Sequence, residues 1–153
     1  MEALTDREMQ LWHAWRQAAD TVRARVVADV GAVTGLSDPD FGILTRLAEA
    51  GGGTLRQNEL AASMGWHRSR LSHQLTRMEQ RGLVTRAAVD NGVEVSVTAA
   101  GRDAVARARP LHAEAVRRHL IDLVPAGAES DFLRTLNRLA ATGDNGDGAG
   151  GGS

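Results

Sequence analysis

Glu59-Leu60-Ala61-Ala62-Ser63-Met64-Gly65-Trp66, followed by His67 to Arg81, is the stretch that decides the fold. The first run reads as a short helix ending at a glycine. The second reads as a new helix with Leu71, Leu75 and Met78 at i, i+4 and i+7, which places them on one apolar face. Two helices joined by so short a turn form a helix-turn-helix. Gly82 stops the second helix, and Leu83-Val84-Thr85-Arg86 and Val93-Glu94-Val95-Ser96-Val97 then flank Asp90-Asn91-Gly92, residue types that favour a tight hairpin turn. A helix-turn-helix followed by such a wing is DNA-binding architecture.

Outward from this unit the pattern is helical. From Arg7 to about Val33, Leu11, Trp15, Ala19, Val22, Val26, Val30 and Val33 recur every three to four positions, the period of an amphipathic helix. At 1.5 Å per residue it is roughly 40 Å long, longer than one small lobe, so part of its stripe is expected against another subunit. Ser37 or Asp38 caps a second helix with Pro39 in its first turn and Phe41, Leu44, Leu47 and Ala48 inward. Gly51-Gly52-Gly53 ends it, and Thr54-Leu55 suits a short strand against the wing. Beyond the wing, Thr98 caps a long helix with Val105, Ala108, Leu111, Ala115, Leu120 and Leu123 as buried positions, which Pro110 should kink or split. A last helix is expected from Ala126 to about Ala141, with Phe132, Leu136 and Leu139 inward. Residues 143–153 hold no apolar anchor and read as a disordered tail.

The 153-residue chain fits one domain, with 42% hydrophobic and 24% charged residues. It contains no cysteine, which excludes disulfides and thiolate chemistry. No apolar run approaches the roughly 20 residues that span a bilayer, so no membrane partner is expected and the cytoplasm is the expected compartment. The net charge of −1 is unevenly spread. Residues 1–65 hold 6 Arg and 9 acids, net −3, and residues 87–153 hold 7 Arg and 9 acids, net −2. Residues 66–86 hold Arg68, Arg70, Arg77, Arg81 and Arg86 against Glu79 alone, net +4. A local basic patch of this kind engages phosphates even on a slightly acidic protein.

On the second helix, Ser69, His73, Thr76 and Gln80 face away from the apolar side, with Arg70 and Arg77 on one flank and Ser72 on the other. The N-terminal half of a reading helix enters the major groove deepest, which puts Ser69, Arg70 and His73 at base edges. Arg70 suits O6 and N7 of guanine as a bidentate fork, and Ser72, Thr76 and Arg77 suit phosphates. Arg86 and the hairpin tip would meet the backbone or an adjacent minor groove. A merely solvated face is the plainer reading of any single arginine, but the turn before and the wing after favour contact for the group. His67 has two readings, structural or phosphate-binding.

These residues carry a resemblance. Glu59-Leu60-Ala61, the run from Leu71-Ser72-His73-Gln74-Leu75-Thr76-Arg77-Met78 to Arg81-Gly82-Leu83-Val84, and Val95-Ser96-Val97-Thr98-Ala99-Ala100-Gly101 make residues 5–141 similar to the MarR family of winged helix-turn-helix transcription regulators. The fold class implied is mainly α with a small β-wing, a single domain over 1–153. Residues 37–98 would form the winged helix-turn-helix, and 5–35 and 99–141 the dimerisation helices flanking it. The resemblance implies a homodimer that represses transcription from a palindromic double-stranded DNA operator and leaves it when a small phenolic or carboxylate ligand binds. The wing departs from the family pattern, because Asp90 is not followed two residues later by the arginine of the Asp-x-Arg motif.

The resemblance places one wall of the ligand cleft on the first helix, where an arginine beside indole rings, Arg16 with Trp12 and Trp15, suits an aromatic carboxylate. The plainer reading puts Trp15 in the core stripe, Trp12 at a dimer junction and Arg16 in solvent. His112 and His119, two turns apart, are too distant to share a metal unaided. Neither a phosphate-cradling glycine loop nor a nucleophile with its base stands out, so no enzyme, cofactor or metal is expected. The reading from another class is a dimeric ligand-binding or protein-interaction module of the same fold with little DNA affinity.

Overall fold

The first helix, α1 (Asp6–Thr34), is set by its cap. The Thr5 hydroxyl accepts from the Glu8 N–H, and the Glu8 carboxylate accepts from the Thr5 N–H. Hydrogen bonds from the Thr5 backbone and then its hydroxyl hold the Glu8 carboxyl below its ordinary range. The computed structural model describes residues 3–141, so the expected tail at 143–153 lies outside the described residues.

A second capping box opens α2 (Asp38–Glu49) at Ser37, which settles the alternative between Ser37 and Asp38. The three glycines form a 3-10 turn into β1 (Thr54–Arg56), then come α3 (Gln57–Met64) and α4 (Arg68–Gln80). The hairpin is β2 (Val84–Val89) and β3 (Gly92–Val97), and Asn91 takes φ 61° in its turn. Strand β3 lies in the middle of a three-stranded antiparallel sheet of order β1-β3-β2, with Thr54 opposite Ser96 and Val84 opposite Val97. The hydroxyls of Thr54 and Ser96 meet at 2.9 Å, fixing the register of the short outer strand. Helices α5 (Ala99–His119), capped by Thr98, and α6 (Glu129–Ala141) complete the chain.

One core lies between α2, α3, α4, the sheet and the start of α5. Ile43, Leu44, Leu47, Leu60, Leu71, Leu75, Met78 and Val95 are fully buried in it. These positions include the three apolar residues expected on α4.

The structure departs from expectation in several places. Leu83 precedes the strand, because its N–H closes the end of α4 by donating to the Met78 carbonyl. Helix α5 runs unsplit through Pro110. It ends at His119, and the 3-10 turn Ile121–Leu123 leaves Leu123 70% exposed instead of buried. Pro125 and Gly127 delay α6 to Glu129, three residues after the expected start. Phe132 and Leu139 are exposed and Leu136 half-buried, since α6 buries none of its residues within the chain. In α1 only Val30 is buried, while Leu11, Trp12, Trp15 and Val33 are exposed. Periodicity reports an apolar face, but not which chain covers it.

Candidate nucleic-acid interface

Gly65 closes α3 in the left-handed region at φ 64°, and the Trp66 N–H donates to the Ala61 carbonyl at 3.0 Å. This six-to-one bond turns the chain sharply without a Cβ penalty. Trp66 then packs against the core from its half-buried position. His67 caps α4: its Nδ1 accepts from the Ser69 N–H at 3.3 Å and lies 2.9 Å from the Ser69 hydroxyl. That favours the structural reading of His67, and it engages the Ser69 hydroxyl locally.

Leu71, Leu75 and Met78 anchor α4 in the core, so Ser69, Arg70, His73, Thr76 and Arg77 are exposed on its outer side, with Ser72 half-buried beside them. Gln74 is buried, a position the apolar pattern alone did not mark. Its amide donates to Asp40 at 2.7 Å, and its carbonyl accepts from the Arg77 guanidinium. Asp40 is only 1% exposed and also accepts from Arg81 at 2.6 Å and the Ser37 N–H at 2.9 Å. The N-terminus of α2 thus holds α4 through one buried carboxylate. Nothing in the local sequence signals this bond beyond an aspartate at the return position of a capping box.

Arg86 turns back onto α4. It donates to the Glu79 carboxylate at 2.6 and 2.8 Å, to the Thr76 hydroxyl at 2.8 Å and to the Ser72 hydroxyl at 3.4 Å. It joins the wing to the outer side of the helix, and Glu79 offsets its charge. Thr76 in turn donates to the Ser72 carbonyl. At the wing tip, Arg56 donates to the Asp90 carbonyl at 2.8 Å. Of the five arginines in the basic segment, Arg81 and Arg86 are paired with carboxylates. Arg68, Arg70 and Arg77 have no ion pair among the described residues. Arg70 lies over the Trp66 ring, 3.8 Å from its centroid.

A crevice opens between α1, α2 and α5, lined by Val26, Val30, Leu36, Asp38, Phe41 and His112, with the Phe41 and His112 rings stacked at 4.9 Å. Trp12, Trp15 and Arg16 lie about 20 Å away along α1, exposed, with Arg16 5.8 Å from the Trp12 ring centroid. They do not line this crevice. His119 meets Asp29 at 2.8 Å.

AbsC, a MarR family transcriptional regulator from Streptomyces coelicolor, is 30% identical over 93% of this chain and 97% of its own, with a TM-score of 0.84. The chain belongs to the MarR family of transcriptional regulators. The MarR family model matches residues 34–92, the span from the end of α1 to the wing turn. Sco3205, a MarR family regulator from the same organism solved in complex with DNA, is 28% identical, with 99% of this chain and 97% of that one covered and a TM-score of 0.85. The organohalide-sensing transcriptional regulator RdhR-CbdbA1625, in its 2,4-dichlorophenol-bound form, shares the fold at 19% identity, with 93% of this chain and 89% of that one covered and a TM-score of 0.76. No curated protein matches the chain. Among the described residues, no helix of this MarR protein is long and apolar enough to cross a membrane.

Proposed function

We propose that this MarR family protein is a homodimeric repressor that reads a palindromic operator with α4 and leaves it on binding a small aromatic or acidic ligand. The observation that carries the reading is the outer face of α4, where Arg70, His73 and Arg77 stand exposed while Leu71, Gln74, Leu75 and Met78 hold the helix rigidly from behind. Arg70 and His73, with Ser69, meet base edges, and Arg77, Ser72 and Thr76 meet phosphates. Arg86 acts through α4, by tying Thr76 and Glu79 to the wing. The DNA complex of Sco3205 supports this reading by likeness.

Dimerisation through residues 5–35 and 99–141 accounts for the exposed Leu11, Trp12, Trp15, Phe132 and Leu133, apolar residues a monomer would not gather on its terminal helices. Sedimentation velocity should return about twice the 16.3 kDa chain mass, and a charge at Leu133 should lower both that mass and DNA affinity. For the ligand, Arg16 beside Trp12 offers a carboxylate partner with aromatic surface, and the phenol-bound RdhR-CbdbA1625 supports the aromatic class. A benzoate or phenol that binds yet leaves DNA affinity unchanged would overturn this part.

The test is selection from a randomised duplex library about three helical turns long, followed by fluorescence anisotropy on the selected and a scrambled duplex at two salt concentrations. A palindrome with half-sites about one turn apart should be enriched, and binding should weaken steeply with salt. Arg70→Ala should cost about 1–3 kcal/mol on the selected duplex only, whereas Arg77→Ala should weaken both duplexes alike. Equal, weak binding to every duplex would favour the interaction-module reading, to which a wing with Asp90 and Glu94 and no arginine over 87–97 already lends weight.

A further inference from the structure

We infer that Trp66 is a specificity-determining positioning residue: its indole holds the Arg70 guanidinium in the orientation that reads guanine. The inference rests on the reading of α4 as the DNA-contacting helix, and deepens it. Trp66 cannot move freely. Its backbone is fixed by the bond from its N–H to the Ala61 carbonyl at 3.0 Å, and its ring packs against the core. Arg70, in the first turn of α4, lies at stacking distance over that ring, 3.8 Å from the centroid. No carboxylate among the described residues pairs with it.

A guanidinium stacked on an aromatic ring has one flat face covered and its N–H edge open. That edge is the part that donates to O6 and N7 of guanine in the major groove. An unsupported arginine on an exposed helix face samples many rotamers, and ordering them on binding opposes association. The ring removes part of that cost before DNA arrives. It acts on Arg70 alone, so its effect falls on the choice of base, with general phosphate attraction untouched. The spacing Trp66-x-x-x-Arg70 spans the turn and the first residues of α4, so the reading residue is aligned by the element that sets the helix-turn-helix angle.

Trp66→Leu keeps an apolar side chain, smaller and without a π face, and Trp66→Phe keeps a flat ring. Both are made in the full chain, alone and with Arg70→Ala, and measured on the selected duplex, on the same duplex with 7-deazaguanine for guanine, and on a scrambled duplex. Trp66→Leu should lose about five- to tenfold in affinity for the selected duplex and little on the scrambled one. That loss should shrink on the 7-deazaguanine duplex and vanish in the Arg70→Ala background, while Trp66→Phe retains most of the binding. Equal loss on all duplexes, or loss persisting without Arg70, would make Trp66 a packing residue and overturn the inference. Unchanged or tighter binding by Trp66→Leu would overturn it too. A DNA-independent readout covers the case in which Trp66→Leu fails to fold. With Trp12 and Trp15 replaced by phenylalanine, Trp66 is the one remaining indole of the three. Its emission should change on Arg70→Ala, and an unchanged spectrum would show that the stack is not formed. Wild-type protein that enriches no sequence would overturn the DNA reading itself, an outcome separate from any variant's behaviour.

Discussion

Gly101→Ala should destabilise the fold by about 3 kcal/mol or more, lowering the melting temperature by roughly 10 °C. Gly101 lies in the first turn of α5 and is buried where that helix crosses the base of the wing. A Cβ built there falls inside 3.0 Å of the Leu83 carbonyl oxygen, 2.8 Å from Cγ2 of Val97 and 3.1 Å from Cδ2 of Leu44. The first obstacle is backbone, and it is already held, because Leu83 O accepts the Thr98 N–H at 3.1 Å and the Thr98 hydroxyl donates to the Gly82 carbonyl at 2.6 Å. No rotamer change makes room. Either α5 lifts from the sheet or the start of β2 moves, and both open the core around Leu44. Gly51→Ala is the control, since nothing lies within 4 Å of a Cβ there, and its melting temperature should stay near that of wild type. Equal melting of the two variants would show that the close approach at Gly101 does not constrain the fold.

Asp40→Ala should cost about 2–4 kcal/mol and weaken DNA binding together with stability. The carboxylate serves three donors at once: the Ser37 N–H at the start of α2, the Gln74 amide and the Arg81 guanidinium. Its loss leaves the buried Gln74 amide without an acceptor and removes half of the capping box. The Arg81 side chain is 43% exposed and can turn to water once its partner is gone, so the cost of Asp40→Ala falls mainly on Gln74 and the cap. Arg81→Ala should lose less than Asp40→Ala, because Asp40 keeps the Ser37 N–H and the Gln74 amide as donors. Chemical denaturation of the two variants separates these contributions, and a larger loss for Arg81→Ala than for Asp40→Ala would reverse the assignment. The DNA effect follows because Gln74, freed from Asp40, no longer steadies Arg77.

The elements of this protein were legible along the chain because their signals are local. Ser37 with Asp40 and Thr98 with Gly101 are caps within three residues, Gly65 and Gly82 mark helix ends, and Asp90-Asn91-Gly92 marks a hairpin. The inward face of α4 followed from the spacing of Leu71, Leu75 and Met78 for the same reason. Its outer face, and so the candidate site, was readable as the complement of that stripe.

What tertiary structure alone decided is which polar groups answer one another. Asp40 meets Gln74 and Arg81 across 34 and 41 residues, and Gly101 lies beneath Leu83. Arg86 reads in sequence as a wing cation, but packing of the sheet against α4 delivers it to Glu79 and Thr76. Trp66 and Arg70 are near in sequence, but only the turn angle set by Gly65 brings the ring beneath the guanidinium. Periodicity found the apolar faces of α1 and α6, but burial depends on what packs there, and within this chain those faces remain exposed. Amino-acid order sets the local backbone, because caps, turns and helix faces are built from neighbours. Partners distant in sequence are chosen only when the packed core fixes where each helix points.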